Sequence, residues 1–204
     1  NLAQKDIIYA EELGYKIKLL GITKCINNEL ELRVHPTLIP EKRLVANVDG
    51  AMNAVLVQGN MVGPTLYYGA GAGSEPTASA VVADIIDLAR NIETNNSIPI
   101  PILGFIKDEI KSKKILSIEE ITSDFYLRLT MKKESGVLAK ITQVFAQYSI
   151  SIDTMIQKET QVDDDLVDII LVTSSMLEKQ MNKIINEIEI MSENKNKVVK
   201  LRVE

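Results

Sequence analysis

Apolar positions along this chain change their period several times, and each change marks an element. Leu2, Ile7, Ala10 and Leu13 recur at helical spacings and Gly14 follows them, which predicts an amphipathic helix over 2–13. From Tyr15 the period drops to two. Residues 15–22 and 30–36 alternate as strands, and Asn27-Asn28 between them predicts a hairpin. Pro36 and Pro40 close that segment and leave 38–45 as a short helix or loop. A third strand is expected over 53–59, and Gly63-Pro64 turns the chain into a fourth over 65–68.

Tyr67-Tyr68 then give way to glycine at every second position, Gly69, Gly71 and Gly73, and a helical pattern starts at once. Val81, Val82, Ile85, Ile86, Leu88 and Ala89 share its apolar face over 78–90. Ser74 or Thr77 suits the cap, and Pro76 suits the first turn, where its missing N–H costs nothing. Backbone N–H groups at such a terminus, approached closely because glycine has no Cβ, receive a phosphate or carboxylate. The other reading is a tight strand-to-helix turn without a ligand. The spacing is not the G-x-G-x-x-G of a Rossmann site, and no acidic residue closes a second strand at the expected distance.

Between 94 and 123 the pattern breaks. Asn95-Asn96-Ser97, Pro99 and Pro101 interrupt regular structure, and Lys111 to Lys114 form a solvated basic run, so 95–123 is expected to be a linker. Beyond it, strand periods at 125–131, 150–156, 166–173 and 198–203 alternate with helical faces over 136–148 and 176–190. The order is βαββαβ, and right-handed crossovers set two helices on one face of a four-stranded antiparallel, ferredoxin-like sheet. The fold class is α+β. A mixed or antiparallel sheet with helices on one face occupies 1–94, and the βαββαβ domain occupies 124–204.

Composition narrows the function classes. A formal charge of -5 over 204 residues argues against a nucleic-acid partner, and no apolar run is long enough for a membrane helix. One cysteine, Cys25, excludes an internal disulfide and suits a reducing cytoplasm. One histidine and one cysteine do not make a zinc site, so His35 is read as structural, and Cys25 has no assignable catalytic partner. Asp163 to Asp165 lack the calcium-loop spacing and read as a solvated turn, so no metal site is expected.

Two family patterns lie on these residues. The βαββαβ unit, with 134–141 (Glu-Ser-Gly-Val-Leu-Ala-Lys-Ile) after its first strand and Ile150-Ser151-Ile152 opening its second, resembles an ACT domain. Four upstream blocks are similar to homoserine dehydrogenase: 12–21, 32–40, 52–55, and 69–73 continuing through 76–80. They fall in that family's order and cover most of 10–90.

The resemblance implies the carboxy-terminal portion of an NAD(P)-dependent enzyme that interconverts aspartate 4-semialdehyde and homoserine, followed by an ACT domain for threonine feedback. It implies that NADP or NAD serves the full-length enzyme and is not bound to this portion alone. The family's nucleotide-binding domain and its catalytic Asp and Lys lie upstream, so no catalytic residue is expected here, and Lys16 and Lys18 are strand residues. Gly73, Gly71 and Gly69 match a loop that returns to the cofactor. In the ACT unit, Gly136, Val137, Ser135 and Ser149 occupy the ligand positions, although the Asp and Pro of the family's Asp-x-Pro-Gly are Lys133 and Ser135 here. A homo-dimer or higher homo-oligomer with an amino-acid effector is expected. The alternative is a stand-alone amino-acid-binding or dimerisation module.

Overall fold

The computed structural model describes residues 2–93, 104–160 and 165–204. The linker residues Asn95, Asn96, Ser97, Pro99 and Pro101, and Asp163 and Asp164 of the acidic turn, lie outside the described residues. Contacts divide the chain into two units, Asn1–Ala46 with Lys113–Glu204, and Asn47–Ser112.

The first unit is built on one large sheet. Helix α1 (Gln4–Glu12) leads through Gly14 at φ 78° into β1 (Tyr15–Ile26) and β2 (Glu29–Pro40). Asn27 and Asn28 make the turn between these strands with φ of 50° and 67°, the left-handed pair that a two-residue hairpin needs. β2 runs four residues past the expected stop at Pro36. Pro36 stands opposite Leu19 and Pro40 opposite Tyr15, so both prolines are strand residues. The βαββαβ order follows as β5 (Thr122–Lys132), α3 (Val137–Gln147), β6 (Ile152–Glu159), β7 (Leu166–Thr173), α4 (Glu178–Glu189) and β9 (Val199–Val203). A two-residue β8, Met176–Leu177, adds to β5. The sheet order is β1-β2-β9-β5-β7-β6, with β2 and β9 parallel through Thr37–Arg202 and Leu38–Val203. The first hairpin therefore extends the sheet of the carboxy-terminal domain.

Side chains alternate across that sheet and fill two different layers. Phe125, Leu127, Leu129, Met131, Val167, Ile169 and Leu171 pack against Ile141 and Phe145 of α3 and Met181, Ile184 and Ile188 of α4. The other face is covered by α1, where Ala10 packs with Leu38, Tyr126, Ile170 and Leu201. This second face also holds charge. Asp6, fully buried, accepts from Arg128 Nε at 2.6 Å and Nη2 at 3.1 Å, and from the Tyr126 hydroxyl at 3.2 Å. Asp168, also fully buried, accepts from Thr130 at 2.7 Å, Lys5 at 2.6 Å and Tyr9 at 3.3 Å. Burial lowers the Arg128 pKa, but the Asp6 hydrogen bond and charge reverse this and hold it above its ordinary value. Burial, and then the Asp6 carboxylate, push the Tyr126 hydroxyl up, so it stays a donor.

In the second unit, β3 (Met52–Gly59) and β4 (Gly63–Ala70) form a separate antiparallel hairpin, followed by α2 (Ser74–Glu93). Among the described residues no helix is long and apolar enough to cross a membrane.

Removing one partner of a buried ion pair strands the other without compensation. Asp6→Ala should therefore lower the unfolding free energy by about 3 kcal/mol. Urea unfolding of the two proteins measures this, and a loss under about 1 kcal/mol would mean the network adds little.

Candidate functional site

Most of the ligand residues expected from the sequence fall at two places, one in each unit. In the second unit, Gly69 pairs with Asn53 across the β3–β4 hairpin and has open space where a Cβ would point. Gly71 is different. Its N–H donates to the Ala51 carbonyl at 3.2 Å, and a Cβ on it would fall 1.2 Å from Nδ2 and 2.4 Å from Cγ of Asn53. The missing side chain makes room for Asn53, a residue of the same hairpin.

Of the three loop glycines Gly73 alone has a positive φ, 132°, and its carbonyl accepts the Thr77 N–H at 3.1 Å. Gly73 is thus the residue that caps α2. Ser74 and Thr77, which the sequence offered for that role, sit inside the first turn, with Pro76 between them. Ser74 and Glu75 carry N–H groups with no intrahelical acceptor, whereas Pro76 has no N–H and Glu75 brings a carboxylate. Two donors beside a negative charge fit one contact at the edge of a polar ligand. They do not fit a cradle for a dinucleotide's pyrophosphate.

In the first unit, Gly136 has φ 89° and ψ -9° and stands at the head of α3, which no side chain caps. The first helical bond is Lys140 N–H to Gly136 O at 3.1 Å, so the N–H groups of Val137, Leu138 and Ala139 have no acceptor in the helix. A cleft of about 350 Å³ opens beside them, lined by residues 132–138 together with Gln157, Val167 and Ile169. Gly136, Val137 and Ser135 thus meet in one cleft. Ser149 does not line it. It follows the far end of α3 at φ 57°, about 16 Å along the 11-residue helix.

Charges around the cleft are tied to one another. Lys133 donates to Glu159 at 2.9 Å and pulls that carboxyl below its ordinary range. Lys132 lies 3.3 Å from Glu134. Lys140 holds Glu193, whose carboxyl is pulled down to about 2 by that hydrogen bond, by its own backbone N–H and by Ser192. Elsewhere, His35 is half-buried in β2 with Nδ1 3.0 Å from the Thr37 hydroxyl, and burial holds its pKa below the ordinary value. Among the described residues no group of three or more His, Cys, Asp or Glu side chains is placed to hold a metal ion.

Sequence reasoning missed Asp6, Arg128 and Asp168. The signal was there in part: Arg128 and Asp168 are opposite charges set between apolar neighbours, Leu127 and Leu129 on one strand and Val167 and Ile169 on the other, where a buried charge requires a partner.

The βαββαβ order, with two helices packed on one face of its sheet, defines a ferredoxin-like domain, and residues 125–190 match the family model for the ACT domain. Residues 1–86 match the family model for homoserine dehydrogenase. The homoserine dehydrogenase of Neisseria gonorrhoeae is 50% identical over 100% of this chain and 46% of its own length, and that of Pseudomonas aeruginosa is 46% identical over 100% and 47%. The crystal structure of a homoserine dehydrogenase from Thiobacillus denitrificans aligns with a TM-score of 0.90 at 55% identity, covering 100% of this chain and 46% of that one. Over its whole length the chain is homologous to the carboxy-terminal part of homoserine dehydrogenase, and it spans less than half the length of those relatives. Family and packing boundaries differ, because the 1–86 match runs through both units.

If Asn53 is what Gly71 accommodates, Gly71→Ala should loosen the β3–β4 hairpin by about 1–2 kcal/mol. Adding Asn53→Ala, which leaves Cβ at 3.2 Å as the closest atom, should restore most of it. Amide exchange of residues 52–70 reads both, and equal protection in all three proteins would remove the steric explanation.

Proposed function

We propose that this chain is the carboxy-terminal portion of a homoserine dehydrogenase, an NAD(P)-dependent oxidoreductase that interconverts aspartate 4-semialdehyde and homoserine. The observation that carries this is the match, at about half identity, of the entire chain to such enzymes, with the two family regions in order. The route served is that to threonine, methionine and isoleucine, in the cytoplasm. Hydride transfer is the cofactor's chemistry when it is bound. This chain contributes the Gly69–Gly73 segment and the start of α2 after it, whose Ser74 and Glu75 N–H groups touch one edge of a cofactor held mainly by another domain. Grafting tests the reading. Put in place of the matching segment of the Neisseria gonorrhoeae enzyme, the chain should preserve homoserine-dependent NADP reduction, whereas alone it should show none. A folded but inactive chimera would count against the assignment.

The boundaries we assign are the dehydrogenase portion at 1–94, the linker at 95–123 and the ACT domain at 124–204. The ACT cleft takes an amino-acid effector, threonine as the end product. Its carboxylate sits on the N–H groups of Val137 and Leu138, beside Gly136 and Ser135, and Gln157 and Glu134, which line the cleft, receive its ammonium. The uncapped start of α3 supports this. Space beside Gly136 is open, so a side chain there acts by strain at φ 89° and by reaching into the ligand's place. Calorimetry should show threonine binding to the chain and none to Gly136→Val. Unchanged affinity in the variant would move the ligand elsewhere.

A homo-dimer is proposed from the second unit. Val55, Leu56, Tyr67 and Tyr68 on the hairpin and Val81, Ile85 and Leu88 on α2 are exposed, an apolar surface large enough to require a cover. Sedimentation equilibrium at micromolar concentration should give twice 22.7 kDa. A monomer mass would reject the dimer.

A further inference from the structure

The cleft and α1 lie on opposite faces of β7, and they take consecutive residues of it. Along β7, Val167 and Ile169 line the cleft, while Asp168 between them points to the other face and holds Lys5, Tyr9 and Thr130. On β5, Arg128 and Thr130 face the helix, and the strand's last residue, Lys132, reaches the end of the cleft. Thr130 and Asp168 are direct partners across the two strands. The wall of the cleft and the clamp on α1 are thus the two surfaces of a single layer of backbone. The helix lies in the region matched to homoserine dehydrogenase, and the cleft lies in the region matched to the ACT domain.

We propose that β5 and β7 couple occupancy of the cleft to the docking of α1, with Asp168 and Arg128 as the residues that carry the change. A ligand seated against Val167 and Ile169 fixes the β7 backbone, and with it the position of the Asp168 carboxylate. Hydrogen bonds weaken steeply with distance and angle, so a small displacement of that carboxylate changes its hold on Lys5 and Tyr9. The packed layers on both faces pass such a displacement on, because close-packed interiors do not absorb it. Ligand in the cleft tightens α1, and α1 is continuous through Gly14 with β1. The inference rests on the reading of the cleft as an amino-acid site.

Hydrogen exchange on the whole 204-residue chain tests it, with L-threonine as the probe and calorimetry on the same preparation. Exchange of the α1 amides, residues 5–13, should slow about fivefold or more when threonine is bound. Threonine binding with no change in α1 exchange overturns the coupling. If threonine does not bind, the ligand reading fails by itself, and a second arm still decides the coupling. Lys5→Ala and Tyr9→Phe loosen α1 without stripping Arg128 of its Asp6 partner. Each should speed exchange of α1 and, by a comparable factor, of amides 140–143, the first hydrogen-bonded turn of α3 beside the cleft, leaving α4 unchanged. Faster exchange confined to α1, or spread equally through α4, overturns the proposal.

Discussion

The buried charges between α1 and the sheet are the constraint on which the first unit depends. Asp6 and Asp168 are removed from water completely, and such groups are tolerated only when their lone pairs are met. Each reaches across to the other element: Asp6 on α1 takes Arg128 and Tyr126 of the sheet, while Asp168 on β7 takes Lys5 and Tyr9 of the helix. The arrangement is reciprocal. Apolar contact around Ala10 supplies area but no register, since a helix can slide on a smooth surface, whereas these hydrogen bonds hold only at one position.

Much of the architecture was legible because it is local. Asn27-Asn28 announced a hairpin and both residues take the left-handed conformation, and the helical faces of α3 and α4 appear at the expected spacings. The prolines misled about β2, where Pro36 and Pro40 remain in the strand opposite Leu19 and Tyr15. Proline is excluded only where the ladder needs its N–H, and sequence does not show which positions those are. That β1 and β2 would join the distant β9 was not legible either, since two parallel pairs link strands more than 160 residues apart.

The sites divide in the same way. Gly136 could be read from its place before a helical face, and its positive φ follows from the turn it makes. Gly71 looked like its neighbours in a repeating glycine pattern, yet its cause is Asn53, eighteen residues earlier on β3. Ser149 sits next to Ile150 in sequence and a full helix away from the cleft in space. Three glycines in one loop thus have three different surroundings: open space, a crossing side chain and a left-handed cap.

The sheet order has a consequence for how the protein comes into being. β9 is made after every other strand, yet it lies between β2 and β5, inside the sheet. While the ribosome is still reading the codons for α4, the early hairpin and the later strands have no edge through which to meet. Each must wait with unpaired backbone groups, the kind of edge that invites wrong partners. Insertion of Val199–Val203 closes the gap in one step, pairing five residues with β5 and two with β2. The unit therefore completes its sheet only once those five residues have been made and have reached the gap.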